Sequence, residues 1–479
     1  MPPPGLLLRC ALALLLLGLG VPSPPTEEEG GPPAREEEEE ELPTVVVAIL
    51  ARNAQHSLPH YLGALDRLDY PAERIFIWCA TDHNVDNTTQ MLQEWLGAVE
   101  KHYRSIVWRS VDEPRSYPNE LGPKHWTEPR FEQMMRLKQE ALTFARSQEA
   151  GYILGYYRRT VDYFPTKNRQ RLGCFALPMV FGTFLIDLRK DDTAHLAFYP
   201  PHPTYSWPFD DINVFAYSCQ VAGAEMFLCN QERFGYINVP MGSHQTLEEE
   251  EVQFVHLVLE AIVDGPPMAR SRHLYVPPKH PTKIGFDEVF LINLPRRPDR
   301  RQRMLEALSE LEIDPLLVDA IDGRALNSSS IKKLGIDLLP GYYDPFSGRT
   351  LTKGEVGCFL SHHHVWKEIV ERGLEKSLVL EDDIRFEAYF KRRLLKLMNE
   401  LERTQLDWEL IYLGRKQVNS DKEEAVAEIP YLVVPEYSYW TLAYVLSRRG
   451  AQKLIEARPL SKILPVDEFL PIMYDKHPK

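Results

Sequence analysis

Short apolar runs alternate with amphipathic stretches along the chain, and this plan occurs twice. Thr44 to Leu50 is a continuous β-branched run of the kind a parallel strand buried on both faces requires. Arg52-Asn53 then opens a loop and Leu58 to Leu68 has helical spacing. A second run, Arg74 to Ala80, ends on the polar Thr81-Asp82-His83-Asn84. Helix is predicted from about Thr88 to Tyr103, followed by a strand from Ser105 to Trp108. The plan restarts after a Pro- and charge-rich stretch, Asp264 to Pro281. Strand Glu288 to Leu294, helix Arg300 to Leu311 and strand Pro315 to Ala320 come first. Helix Leu351 to Arg372 follows, then strand Ser377 to Leu380, which runs into Glu381-Asp382-Asp383. Strands Glu409 to Leu413 and Tyr439 to Leu446 complete the set. Strand–helix alternation is the α/β signature, and polar residues where strands end are where such sheets bind ligands. The pattern predicts two α/β domains, 44–265 and 285–479, with a linker over 266–284.

The pattern is different ahead of the first strand. Cys10 to Val21 is an apolar run of signal-peptide length, too short to cross a bilayer comfortably, and Pro22-Ser23-Pro24-Pro25 follows it. Residues 1–22 therefore read as a cleaved signal peptide. The alternative, an uncleaved anchor starting at Leu6, would carry Arg9 inside the span. Residues 23–43 are rich in Pro, Gly and Glu, cannot bury a core, and read as an acidic disordered tether. No later segment reaches the ~18 apolar residues of a membrane span, so a soluble protein of the secretory pathway is expected. Secretion or cell-surface display is expected because no retention tetrapeptide ends the chain.

Composition refines this picture. A chain of 479 residues with 44% hydrophobic content suits two domains of ordinary size. Much of the net charge of -14 sits in the tether, where nine Glu face one Arg. A mildly acidic folded part argues against nucleic-acid binding, which needs basic surface. With Cys10 in the signal, Cys79, Cys174, Cys219, Cys229 and Cys358 remain. None forms a CxxC pair, which argues against a structural zinc site, and one or two disulfides are expected. Asn87 and Asn327 begin sequons that could be glycosylated.

Three motifs carry chemistry. Glu381-Asp382-Asp383 ends a strand, and residues at i and i+2 of an extended segment point the same way. Glu381 and Asp383 could thus face one divalent cation, although an isolated triplet of this kind is more often a solvated acidic turn. Asn293-Leu294-Pro295-Arg296-Arg297-Pro298-Asp299-Arg300-Arg301 sets an arginine cluster at a strand-to-helix junction, where a nucleotide's phosphates sit. Alone, such a cluster is more often a solvated helix face. Lys353 to His362, GEVGCFLSH in its later part, is followed by Trp366. His362, His363 and His364 point ~100° apart on a helix and cannot together chelate one ion.

Together these segments resemble glycosyltransferase family 25. The resemblance continues through Gly414-Arg415, Tyr437-Ser438-Tyr439-Trp440 and Leu464 to Leu470. The N-terminal half is similar to the family's animal members, the procollagen galactosyltransferases. It shares Leu50 to Ala54, Ala80 to Thr89, Gly122 to Trp126, Phe198 to His202 and Trp207 to Asp211 with them. The likeness covers nearly everything after Pro43, and Tyr163 to Arg169 is closest to the family's inactive member.

The resemblance implies two tandem glycosyltransferase-A-like (Rossmann-like) α/β domains. It implies transfer of galactose from UDP-galactose to hydroxylysine of collagen, in the endoplasmic reticulum lumen, with Mn²⁺, and it admits a homodimer. Glu381, Asp382 and Asp383 would form the metal motif, and Asn293, Arg296, Arg300 and His362 would face the donor. Asp467 or Glu468 would be the base that takes the acceptor's proton. In the first domain Arg52, Asn53 and Asp82 would line a nucleotide pocket.

Departures from the pattern shape the functional expectation. Strand Gly151 to Leu154 should run into an Asp-x-Asp tip, but it meets Gly155-Tyr156-Tyr157-Arg158-Arg159, which the family places far downstream. The first domain is therefore expected to carry an internal deletion, with its metal carboxylates lost, and the second to lack the family's distal segment. Phe181-Gly182-Thr183 replaces the family's His-Ser-Thr. Two readings follow: a transferase acting through its C-terminal site, or a catalytically inactive pseudoenzyme acting in cell adhesion or collagen binding.

Overall fold

The computed structural model describes residues 42–148, 155–157, 165–166, 169–232, 235–236, 241–266, 268–344 and 347–477. The expected signal peptide, nearly all of the tether, the strand Gly151 to Leu154 and its junction with Gly155 lie outside the described residues. The chain is mixed α/β and forms two compact units. One ends at Phe254 and takes up Gly265–Val276; the other comprises Val255–Asp264 and the residues from Pro277 onward.

In the N-terminal unit, β1 (Val45–Ala51), β2 (Ile75–Asp82) and β3 (Ser105–Val111) form a parallel sheet in that order. Alternation along the strands sends side chains to opposite faces. Ile49, Ile75, Ile77 and Cys79 pack with Leu58 and Leu62 of α1 (Leu58–Leu65) and Leu92 and Trp95 of α2 (Thr88–Val99). Val46, Phe76, Trp78 and Ala80 pack against Leu137, Ala141 and Ala145 of α3 (Glu128–Ser147). Beyond α3, β4 (Gly155–Tyr157) pairs with β6 (Val180–Thr183), and β5 (Cys174–Leu177) pairs with β7 (Met226–Cys229). Cys174 and Cys229 stand opposite each other on that second ladder and form a disulfide; Cys79, Cys219 and Cys358 are free thiols. Between β6 and β7 lies α4 (Asp211–Ala222), which Asp210 caps through its side chain. The boundary between the units falls within α5 (Leu247–Asp264).

The C-terminal unit is a layered α/β fold on a five-stranded sheet of order β11-β14-β10-β8-β9. The strands β8 (Glu288–Asn293), β9 (Leu316–Asp319) and β10 (Lys376–Glu381) run parallel. Antiparallel to them runs β14 (Ser438–Ser447), with β11 (Leu410–Gln417) outside it. β12 (Glu424–Val426) and β13 (Ile429–Val434) form a separate hairpin. On one face Val289, Leu291, Leu378, Leu380 and Val445 meet Met304 and Leu308 of α6 (Pro298–Glu310). Leu394, Leu397 and Leu401 of a later helix cover the same face. Phe290, Ile292, Val379, Tyr444 and Leu446 meet Phe359, Trp366 and Ile369 on the other face. Between β9 and β10 come α7 (Ser328–Lys333) and α8 (Lys353–Arg372). After β10 come α9 (Phe390–Thr404), α10 (Arg448–Glu456) and α11 (Val466–Met473). Among the described residues no helix is long and apolar enough to cross a membrane.

Candidate functional site

The parallel strands of the C-terminal unit end on polar residues at one edge of the sheet. Register sets Glu381 opposite Ile292, and Asn293 opposite Asp319. Asn293 is buried, and its Nδ2 donates to Asp382 Oδ2 at 2.7 Å. Its Oδ1 has no hydrogen-bond partner among the described residues. Arg300, in the first turns of α6, donates to Asp382 Oδ1 at 3.1 Å and to Asp383 Oδ2 at 2.8 Å. The structure thus gathers Asn293, Arg300 and the carboxylate triplet. Arg296 instead pairs with Asp322 at 2.8 Å, on the loop after β9, and Arg297 pairs with Asp299 at 2.7 Å.

His362 reaches the same edge from α8. This helix begins with a capping box between Thr352 and Glu355 and ends at Gly373, whose left-handed φ of 69° stops it. Gly357 lets the helix press on the loop after β9, because a Cβ there would lie 2.3 Å from the Ile321 carbonyl oxygen. His362 Nδ1 lies 2.9 Å from the Tyr444 hydroxyl, which also accepts the Trp366 indole N–H at 3.0 Å. Its Nε2 is thereby turned toward Glu381 Oε1, 3.2 Å away. Cys358 sits one turn earlier, and ligating atoms of Cys358, His362 and Glu381 all lie within 4.8 Å of one another. His363 is buried against Phe359 and Trp366, and burial lowers its pKa to about 4. His364 is exposed, so the three histidines diverge.

The donor chemistry of this edge fits a hard cation. Burial, and then the field of Glu381, Asp467 and Asp383, pushes the Cys358 thiol far above its ordinary range in the metal-free site. Thiolate is a soft donor that suits zinc or copper, whereas carboxylate oxygen, offered here by Glu381 beside His362 Nε2, suits Mn²⁺.

The two candidate bases differ sharply in setting. Glu468 is fully buried; the Tyr437 hydroxyl lies 3.0 Å from both its oxygens, and His477 Nε2 lies 2.5 Å from one of them. Asp467 is half-buried in the first turn of α11, and desolvation, then the neighbouring Glu468, raises its pKa to about 6.

In the N-terminal unit, Arg52, Asn53 and Asp82 come together where β1 and β2 end. Arg52 makes two hydrogen bonds of 2.8 Å to Glu120. Asn53 Oδ1 accepts the Val85 N–H at 2.8 Å, and its own N–H donates to Asn84 Oδ1 at 2.7 Å. Asp82 Oδ1 binds His83 Nδ1 at 2.5 Å and the Tyr117 hydroxyl. Burial, and then the Arg52 charge, lowers the Arg130 pKa to about 10, while Arg130 also holds Glu120 at 3.2 Å. Asn87 and Asn327 are exposed.

Sequence comparison gives this architecture a family. The family model described as glycosyltransferase family 25, N-terminal domain, matches residues 42–155 and 154–258. That of glycosyltransferase family 25 (LPS biosynthesis protein) matches residues 286–470. The chain is 59% identical over 482 residues to the Homo sapiens protein named "Inactive glycosyltransferase 25 family member 3", covering 91% of this chain and 81% of that one. It is 58% identical to the Mus musculus protein of that name over the same shares. Identity to Homo sapiens "Procollagen galactosyltransferase 2" is 52%, over 91% of this chain and 77% of that one. The chain belongs to glycosyltransferase family 25.

For a family 25 chain, several side chains at these edges lie outside the recognised motifs. Tyr444 reads as an ordinary apolar strand residue, yet it orients His362. Tyr117, Glu120 and Arg130 complete the N-terminal cluster from the loop and helix after β3, where no periodicity marks them. Cys358 lies inside the recognised GEVGCFLSH segment, and its i, i+4 spacing to His362 was the available signal.

Proposed function

We propose that this family 25 chain binds UDP-galactose in its C-terminal unit and transfers galactose to hydroxylysine of collagen, in the endoplasmic reticulum lumen. The observation that carries this reading is the convergence of Asn293, Arg300, His362 and Glu381 to Asp383 from β8, α6, α8 and β10 on one sheet edge. Glu381 and Asp383 would hold Mn²⁺, which when bound neutralises the diphosphate leaving group. Arg300 turns from Asp383 to the phosphates, and His362, locked by Tyr444, orients the donor side of the site. Asp467, ionised above its pKa of about 6, accepts the proton of the acceptor hydroxyl. Glu468, enclosed by Tyr437 and His477, holds Asp467's turn in place.

In this reading both units are glycosyltransferase-A-like, and the first has lost a block with its metal carboxylates. The match of the N-terminal family model in two pieces that meet at Leu154–Gly155 supports that deletion. The self-paired cluster of Arg52, Asp82, Tyr117 and Glu120 agrees with a unit that no longer binds a donor.

A second reading, a pseudoenzyme in adhesion or collagen binding, is favoured by Arg300, which lays the chain's own cation across Asp382 and Asp383. One experiment separates the two. The purified chain is given UDP-galactose, Mn²⁺ and a hydroxylysine-containing collagen peptide, and UDP release is measured. Mn²⁺-dependent release that Asp383→Ala abolishes supports transfer. No release, with collagen binding that survives loss of Glu381 and Asp383, supports the pseudoenzyme.

A further inference from the structure

Within the segment Tyr437 to Trp440, Trp440 sits at an irregularity of the sheet. The ladder between β11 and β14 slips there: Gly414 faces Ala443 and Lys416 faces Tyr439. Trp440, Thr441 and Leu442 therefore stand against Arg415 alone, which is a bulge in β14. Inside it Trp440 has φ 64°, the left-handed region that bulky residues avoid. Packing does not compensate, because Trp440 is 51% exposed. Its strand neighbours are anchored inward: Tyr439 donates to Asp344 at 2.9 Å, and Thr441 is buried. The Lys416 ammonium lies 5.2 Å from the Trp440 ring centroid. The Asp467 carboxylate bears on Tyr439 and is itself influenced by the Trp440 backbone N–H, so the bulge lies in the neighbourhood of the candidate base. Strained backbone that over-determined surroundings hold in place, and bulges that re-aim one side chain, concentrate where ligands bind.

We propose that Trp440 is a stacking platform for a hexopyranose ring beside Asp467. The apolar C–H face of a sugar packs on an indole, while its hydroxyls remain free for polar neighbours such as Lys416. The ring belongs to the galactose either of the donor or of the galactosylated product, and both present the same face. The inference rests on the C-terminal unit being a glycosyl-transfer site.

The test uses the full chain and two variants. Trp440→Asn adopts the left-handed conformation readily and removes the indole; Trp440→Phe keeps an aromatic face. Calorimetric titrations with UDP, UDP-galactose and a galactosyl-hydroxylysine peptide are read beside the urea midpoint of each protein. Trp440→Asn is expected to be at least as stable as the wild type, to keep its UDP affinity, and to bind one sugar-bearing ligand tenfold or more weakly. Trp440→Phe should recover most of that loss. Loss confined to UDP-galactose assigns the ring to the donor, and loss confined to the peptide assigns it to the galactosylated product. A less stable Trp440→Asn, or unchanged affinity for both sugar ligands while UDP still binds, overturns the platform. A wild type that binds no UDP overturns the site reading itself, and the platform with it.

Discussion

Arg300 and Asp467 show how much of this site depends on single side chains. Arg300 holds two carboxylates at once, so removing it leaves Asp382 and Asp383 facing each other without a counter-charge. Added Mn²⁺ is therefore expected to raise the thermal midpoint of Arg300→Ala by more than it raises that of the wild type; equal shifts would place the cation elsewhere. Asp467 has a folded pKa of about 6 against an ordinary 3.8. A raised carboxyl favours the protonated fold, so its contribution to stability is present below the ordinary value and is lost as pH rises through about 6. The urea midpoint of the wild type should accordingly fall, relative to Asp467→Asn, as pH is taken from ~4 to ~6. If Asp467 takes the acceptor's proton, transfer should climb over the same interval and vanish in Asp467→Asn. The polar strand ends, Asn293 and Glu381, were legible because apolar runs point at them. The partner of Arg300 was not, since nothing local in a helix's first turn says which carboxylate, more than eighty residues away, it will meet.

At the scale of elements, the helix that carries His362 depends on two sequence details. In Gly357→Ala the new Cβ would sit 2.3 Å from the Ile321 oxygen, so α8 must shift from the loop after β9. Forced overpacking of this kind costs about 1–3 kcal/mol. A fall of several degrees in Tm is expected, together with weaker donor binding. Thr352→Ala should cost about 1 kcal/mol through the lost cap, and an unchanged Tm would show that the box is not holding the helix. Periodicity reads α8 as starting at Leu351, and the capping residue moves the start to Lys353. It reads α2 as running to Tyr103, whereas the helix stops at Val99 and Tyr103 folds back against Trp95. β11 continues past Leu413 to Gln417, because its polar end pairs with β14, a distant partner that no local window contains. For the same reason β5 and β7 escaped notice: four residues each are too few to show alternation, and with them went the pairing of Cys174 with Cys229.

The whole chain is two compact units, each built around its own sheet, and the structure's disulfide lies in the first. It joins residues 55 apart in sequence, a closure that chain entropy values at about 4 kcal/mol. Reductant is thus expected to speed hydrogen exchange in β5 and β7 and leave β8 and β10 unchanged; equal acceleration in both units would contradict that division. The twofold plan of apolar strand and polar tip was readable over the full length, because buried parallel strands need nearly continuous hydrophobic runs. The bulge opposite Arg415 was not, because a ladder slip leaves no mark on composition. That slip has one more effect. β11 is an outer strand of the sheet, and an outer strand with a straight, regular ladder invites another chain to add to it. The ladder is broken between Tyr412 and Gly414 and again, at the bulge, between Gly414 and Lys416, and the two breaks disrupt the flat template that fibrous self-association requires. A sequence with that irregularity ironed out would trade a sugar platform for a tendency to aggregate.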